Sequence, residues 1–321
     1  MNGCYPHESS SAGCMIECLI ITSGFSICQV ARMIAVNWTQ SDTGGISVSN
    51  HDQPLGRWPN APLALVLAQV RFDPEIDTAY KDVSARLKTV LRERFPAMKA
   101  VRQVTLVFGS TPGVAVESKP NEGEVGRELR SDDNRRALRL QEGVMTYTTS
   151  LYEDSLRFLA EWRSMLDCLC AAGGVKVQRL GLRYVDFIIP TAGKVPEDYF
   201  KDRFGHLTHV FGETAQTAFM SHEYLREAEG AMRVQFGRGF APPSLPPDLD
   251  GSVHLPPVLL KKYTQGQPSA VLDIDRWRAD SRRLQAAEIA AEFQRLRDDI
   301  SMTFTRIISP EAVAEWSGQP T

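Results

Sequence analysis

Apolar residues recur along this chain in two rhythms, every second position and every third or fourth, and the alternation between them sets out the elements. Leu63–Phe72, entered through Trp58-Pro-Asn-Ala-Pro62, is a short apolar run of strand length. Tyr80, Val83, Leu87, Val90 and Leu91 then repeat at three and four, one face of an amphipathic helix that ends near Phe95-Pro96. Val101–Phe108 alternates as a strand, Gly109-Ser-Thr-Pro-Gly113 turns the chain, and Val114–Glu117 begins a hairpin partner. Residues 117–139 carry dense charge of both signs and read as a solvated loop. Residues 137–149 read as one strand, with Leu138, Leu140 and Val144 on one face and Met145 and Tyr147 on the other.

A second helix is predicted from Glu153 to Ala172, its stripe formed by Leu156, Leu159, Trp162, Met165, Leu166 and Leu169, and Gly173-Gly174 stop it. The strand Arg179-Leu-Gly-Leu-Arg-Tyr-Val-Asp-Phe-Ile188 follows. Thr208–Leu225 and Ala231–Phe236 read as further antiparallel strands, and the segment containing Pro242, Pro243, Pro246, Pro247, Pro256 and Pro257 reads as a stiff, exposed insertion. Ala270–Trp277 is the last predicted strand, before a terminal helix striped with Ile289, Phe293, Leu296, Ile300, Phe304 and Ile307. Strands with short connections outnumber helices, so the fold class is α+β: a largely antiparallel sheet with a few amphipathic helices packed on one face. The element order repeats, which implies an internal duplication. Residues 59–321 form this α+β domain, as one body or as two fused lobes, 59–150 and 151–321.

Composition changes little. With 43% hydrophobic and 23% charged residues the chain is globular, and a net charge of -3 gives no overall attraction to phosphate backbones or anionic lipid. On that total, a protein or small-molecule partner ranks above nucleic acid. No uncharged apolar run of about 18 residues spans a membrane, and a soluble, cytoplasmic protein is expected. Residues 1–58 lack the periodicity of the rest and read as a disordered extension, with Met33 as an alternative start. Cys4, Cys14, Cys18 and Cys28 fall there at spacings of nine, three and nine intervening residues, without a metal-binding C-x-x-C pair. The secretory pattern of a basic start before an apolar run is also missing.

The candidate chemistry lies in two strands. In the first, Arg183, Tyr184 and Asp186 interrupt an apolar run, and an ionised group taken out of water is costly unless paired. Alternation points Arg183 and Asp186 to opposite faces, so each needs its own partner, in the fold or in a ligand. Arg183 is either a structural ion pair across the sheet or the cation for a phosphate or carboxylate. In the second, Asp273 and Asp275 project from one face about 7 Å apart, a spacing at which two carboxylates can share Mg²⁺ or Mn²⁺. The plainer alternative is two surface aspartates at a strand end.

Other candidates are weaker. Ser110 lacks the G-x-S-x-G elbow, and the glycines at 109, 113, 173, 174 and 181 lack dinucleotide spacing. His206, His209 and His222 have no fixed metal geometry, and Cys168 and Cys170 face different ways on their helix. No cofactor signature is present.

Asn60-Ala-Pro-Leu63, Leu180-Gly-Leu-Arg-Tyr184 and Leu272-Asp-Ile-Asp275 before an amphipathic C-terminal helix occur in this order. That combination resembles an uncharacterised, sporadically distributed family of bacterial proteins to which no activity is attached. The resemblance covers residues 59–316 and implies an accessory role, such as a mobile-element or defence function. Where the family is expected to carry Asn after the Arg-Tyr segment, this chain has Asp186. Two function classes follow: a non-enzymatic binding module receiving its partner on a sheet face at Arg183 or Tyr184, or a divalent-metal-dependent hydrolase or transferase acting on phosphoesters through Asp273 and Asp275.

Overall fold

In the computed structural model, residues 58–74, 80–105, 121–191, 193–201, 209–210, 213–214, 217–225 and 230–318 are described below. The chain divides into two units, Met1–Trp38 with Arg102–Val125, and Thr39–Val101 with Gly126–Thr321. Apart from the ends of two strands, everything described belongs to the second.

The strands are β1 (Leu63–Phe72), β2 (Ala97–Thr105), β3 (Asn121–Arg130), β4 (Arg136–Gln141), β5 (Val144–Thr149), β6 (Val175–Ile188), β7 (His209–Val210), β8 (Glu213–Thr214), β9 (Ala218–Leu225), β10 (Ala231–Gly239), β11 (Ser269–Ala279) and β12 (Arg283–Leu284). The helices are α1 (Tyr80–Val90), α2 (Ser155–Leu169), α3 (Pro257–Lys261), α4 (Ala286–Ile307) and α5 (Pro310–Ser317). One sheet runs in the order β2-β3-β4-β5-β1-β6-β11-β10-β9, with β12 against β6, and β7 and β8 pair separately. The fold is α+β, and the pairings β1–β5, β1–β6, β3–β4, β4–β5, β6–β11, β10–β11 and β9–β10 are antiparallel.

The strand order on the two sides of the central pair is similar. From the central pair outward, β1 is followed by β5, β4 and β3, and β6 by β11, β10 and β9. A long helix follows each set in the chain, α2 after β5 and α4 after β11. Because β1 pairs with both β5 and β6, the sheet crosses the boundary between the two expected lobes without a break.

One sheet face buries the main core. Val66, Ala68, Tyr147, Leu180, Leu182, Val234 and Ile274 pack with Trp162 and Met165 of α2 and with Ile289 and Phe293 of α4. The Trp162 and Phe293 rings meet edge to face, centroids 5.4 Å apart, where the two helices lie side by side. Asp154 caps α2 by accepting from the Arg157 N–H at 2.8 Å.

Three expectations need correction. Residues 137–149 are two strands, since Glu142-Gly143 forms a two-residue hairpin turn with Gly143 at φ 69°, a conformation glycine adopts without strain. The turn pairs Leu138 with Tyr147 and Leu140 with Met145, which puts all four on the core face instead of dividing them. The charged stretch after 117 includes β3, paired to β4. There Leu129 is buried in the core, and Glu128 is held by Arg130 and by Arg139 at 2.8 Å, so cross-strand pairing makes the charges compatible with a sheet. Burial alone would raise the Glu128 carboxyl; these guanidinium contacts outweigh it and hold the group below its ordinary range.

The third correction concerns the proline-rich segment, which is not an exposed insertion. Leu245, Leu249, Val253 and Leu259 pack on the sheet's second face against Ala64, Leu65, Val185 and Phe187. Apolar residues spaced between the prolines gain burial there, while the prolines, lacking an N–H, remain outside the ladders. Val114–Glu117, residues 1–57, Ser110, Gly109, Gly113 and His206 lie outside the described residues.

Candidate functional site

The second sheet face is covered by the proline-rich segment at one end and open at the other. Arg183 stands at the border. Its Nε and Nη2 donate to the two carboxylate oxygens of Asp273 at 2.8 and 2.6 Å, and the guanidinium also donates to Asp248 from the covering segment. Burial would lower the Arg183 pKa, but the hydrogen bonds and charges of Asp273 and Asp248 more than offset it and raise the pKa above its ordinary value. Of the two sequence readings of Arg183, the geometry is that of the structural ion pair.

Asp273 and Asp275 do share a face, as their spacing requires, yet both already meet guanidinium groups. Asp273 is taken by Arg183, and Asp275 lies 4.0 Å from Arg179 and 3.9 Å from Arg233. Burial raises the Asp275 pKa, Asp273 adds to the shift, and Arg179, Arg183 and Arg233 oppose it. Among the described residues no group of three or more His, Cys, Asp or Glu side chains converges to hold a metal. His222 is exposed on β9, and the side chain of His209 lies outside the described residues.

Tyr184 and Asp186 belong to the opposite, helix-covered face, so Arg183 and Tyr184 do not form one ligand site. The Tyr184 and Tyr152 hydroxyls are 3.1 Å apart, and burial raises the Tyr184 pKa. Asp186 is 4% exposed, and among the described residues it makes no side-chain hydrogen bond or ion pair. Burial, with the charge of Asp273 adding to it, pushes its carboxyl up to about 8. At neutral pH the group is therefore largely a neutral acid, able to donate one hydrogen bond and to accept others.

Toward the open end of the face, β-pairing assembles a platform. Trp277 of β11 is directly opposite Gly181 of β6, Asp275 lies between Arg183 and Arg233 in adjacent strands, and Arg71 of β1 is opposite Arg179. The Arg179 and Arg233 guanidinium carbons lie 5.1 and 5.4 Å from the Trp277 ring centroid, within cation–π range. Burial lowers the Arg179 pKa, Asp275 opposes the shift, and Arg71 and Arg233 add to it. The Nε of Arg233 is buried with no hydrogen-bond partner among the described residues. Gly181 is buried, yet a Cβ placed there would meet only the Trp277 Cβ, at 3.9 Å. The sequence reading placed Arg179 and Arg183 on this face but missed Arg71, Arg233, Trp277 and Asp248. Its available signal was the alternation Asp273-x-Asp275-x-Trp277, which extends the carboxylate pair to an aromatic.

No family model and no curated protein matches the chain. Among solved structures it is similar to a rolling circle replication initiator protein from Geobacillus stearothermophilus, at 12% identity over 74% of this chain and 79% of that one, with a TM-score of 0.27. Ranking nucleic acid below protein or small-molecule partners is corrected, because it rested on the total charge alone, and that near-neutral total conceals a face on which arginines from β1, β6 and β10 converge. Among the described residues no helix is long and apolar enough to cross a membrane.

Proposed function

We propose that this protein is a binding module that takes single-stranded nucleic acid on the open sheet face. The observation that carries the reading is the grouping of Arg71, Arg179 and Arg233 with Trp277 around the carboxylates of Asp275 and Glu223. Guanidinium groups in excess over carboxylates favour a phosphate backbone, and guanidinium planes and an indole offer bases a stacking surface without reading their sequence. Gly230, whose φ of 90° and close approach to the Trp277 carbonyl admit no side chain, fixes the start of β10 beside Trp277.

A fluorescence-anisotropy titration of a labelled 15-nucleotide single strand against the full chain at low salt tests the proposal. Saturable binding is expected, weakening as salt rises because bound phosphates release counterions. The Arg179→Ala/Arg233→Ala variant is expected to lose at least tenfold in affinity. Absence of binding, or binding unaffected by the double variant, contradicts the proposal.

A further inference from the structure

The strand β9 closes one side of the sheet, pairing with β10 on one edge and, among the described residues, with nothing on the other. An edge strand exposes a row of N–H and C=O groups, and soluble proteins ordinarily blunt such edges with charged side chains, above all lysine, or with proline, a bulge or short length. Of these devices β9 has one charged side chain, Glu223. It runs for eight residues, Ala218-Phe-Met-Ser-His-Glu-Tyr-Leu225, in unbroken register with β10 and without Lys or Pro. Phe219, Tyr224 and Leu225 are 70%, 54% and 79% exposed, values that leave most of three large apolar side chains in water.

We infer that the occupant of this edge is a second copy of the same chain, paired antiparallel about a two-fold axis through His222. Such an axis is normal to the sheet and preserves its faces, so only residues of like parity can be opposite each other. With the axis at His222, Phe219 meets Leu225 on the open face and Met220 meets Tyr224 on the helix side. The adjacent registers are poorer. An axis at Ser221 sets Phe219 against Glu223, and one at Glu223 puts two carboxylates opposite each other, which is destabilising. The apolar pattern of β9 is thus complementary to its own reverse in one register. Its three exposed apolar side chains offer about 400 Å² per copy, given the 150–250 Å² of an aromatic side chain. With seven residues of paired backbone the total reaches the low end of specific interfaces, about 1,200 Å², the size of a reversible dimer. The inference rests on β9 alone and stands whatever the ligand of the open face. The same axis would set two Trp277 platforms on one face, five strand spacings or about 24 Å apart.

Sedimentation velocity of the full chain over a hundredfold concentration range, together with cysteine crosslinking, tests this. The expected result is a concentration-dependent dimer that Leu225→Lys weakens at least tenfold. Leu225 is exposed, so unchanged circular dichroism of that variant shows that the fold is intact. Directly opposite Cα atoms in an antiparallel pair are about 4.5–5.5 Å apart, within disulfide reach. His222→Cys is therefore expected to yield a disulfide-linked peptide pair containing position 222 of both copies, identified by mass spectrometry, and Ser221→Cys is expected to yield no such link. A monomer at every concentration, a dimer indifferent to Leu225→Lys, or self-linkage at 221 but not at 222 overturns the inference.

Discussion

Gly181 and Trp277 are directly opposite each other across the β6–β11 ladder, and a Cβ at the buried glycine would meet only the Trp277 Cβ, at 3.9 Å. The strand would accept a β-branched residue at 181, since strand interiors gain from side chains that pack on the pleat. Gly181→Val is thus expected to leave the melting temperature unchanged or slightly raised while weakening single-strand binding at least tenfold. Parallel thermal melts and titrations check this. A destabilised variant, or one that binds like wild type, contradicts ligand contact beside Gly181 and Trp277.

Truncating either partner of the Arg183–Asp273 pair leaves a buried charge without its main counter-ion. Asp273→Ala is expected to cost about 3–5 kcal/mol in a urea unfolding experiment, because the pair is nearly buried. Replacing both by apolar residues of similar volume, Arg183→Met with Asp273→Leu, is expected to recover most of that loss. A cost below 1 kcal/mol for the single change would contradict the structural role assigned here.

The same geometry predicts the response to metal. Both carboxylates of the aspartate pair already face arginines, so Mn²⁺ or Mg²⁺ at millimolar concentration is expected to leave the melting temperature unchanged. A rise in melting temperature that Asp273→Ala abolishes would restore the metal-site reading.

Asp186 gives a pH dependence of defined sign. Its carboxyl is raised to about 8 in the folded chain, against an ordinary value near 4 when unfolded. Between those values the folded state holds a proton that the unfolded state has released, so this contribution to stability declines as pH rises through the window. Asp186→Asn removes the titration and retains a donor and an acceptor. The variant-minus-wild-type stability difference is expected to grow from pH 5 to pH 8 by more than 1 kcal/mol, measured by urea unfolding. A difference independent of pH would mean that Asp186 titrates normally.

What could be read from the sequence was local. Two-residue periodicity identified β6 and β11, placed Arg183 and Asp186 on opposite faces and put Asp273 and Asp275 on one. It missed the turn at Gly143, because two strands joined by two residues keep an alternating pattern and only the glycine marks the reversal. It missed β3, because Glu128 looks solvated until Arg139, eleven residues later, is brought opposite it. Arg71, Arg179 and Arg233 are far apart in the chain and meet only through the registers of β1, β6, β11 and β10, which long-range pairing sets. Asp248 reaches Arg183 because Leu245 and Leu249 bury themselves on the sheet, a tertiary gain that overrides the loop-like composition of its segment.

The central claim is that nucleic acid lies across the Trp277 platform. Photo-crosslinking of a single strand carrying 4-thiothymidine, followed by mass spectrometry of the digested protein, tests it most directly. The account predicts adducts in the peptides that carry Trp277 and residues 179–183, lost when excess unlabelled single strand competes. Crosslinks confined to the helix-covered side of the sheet, or none under conditions where binding is saturated, would contradict it.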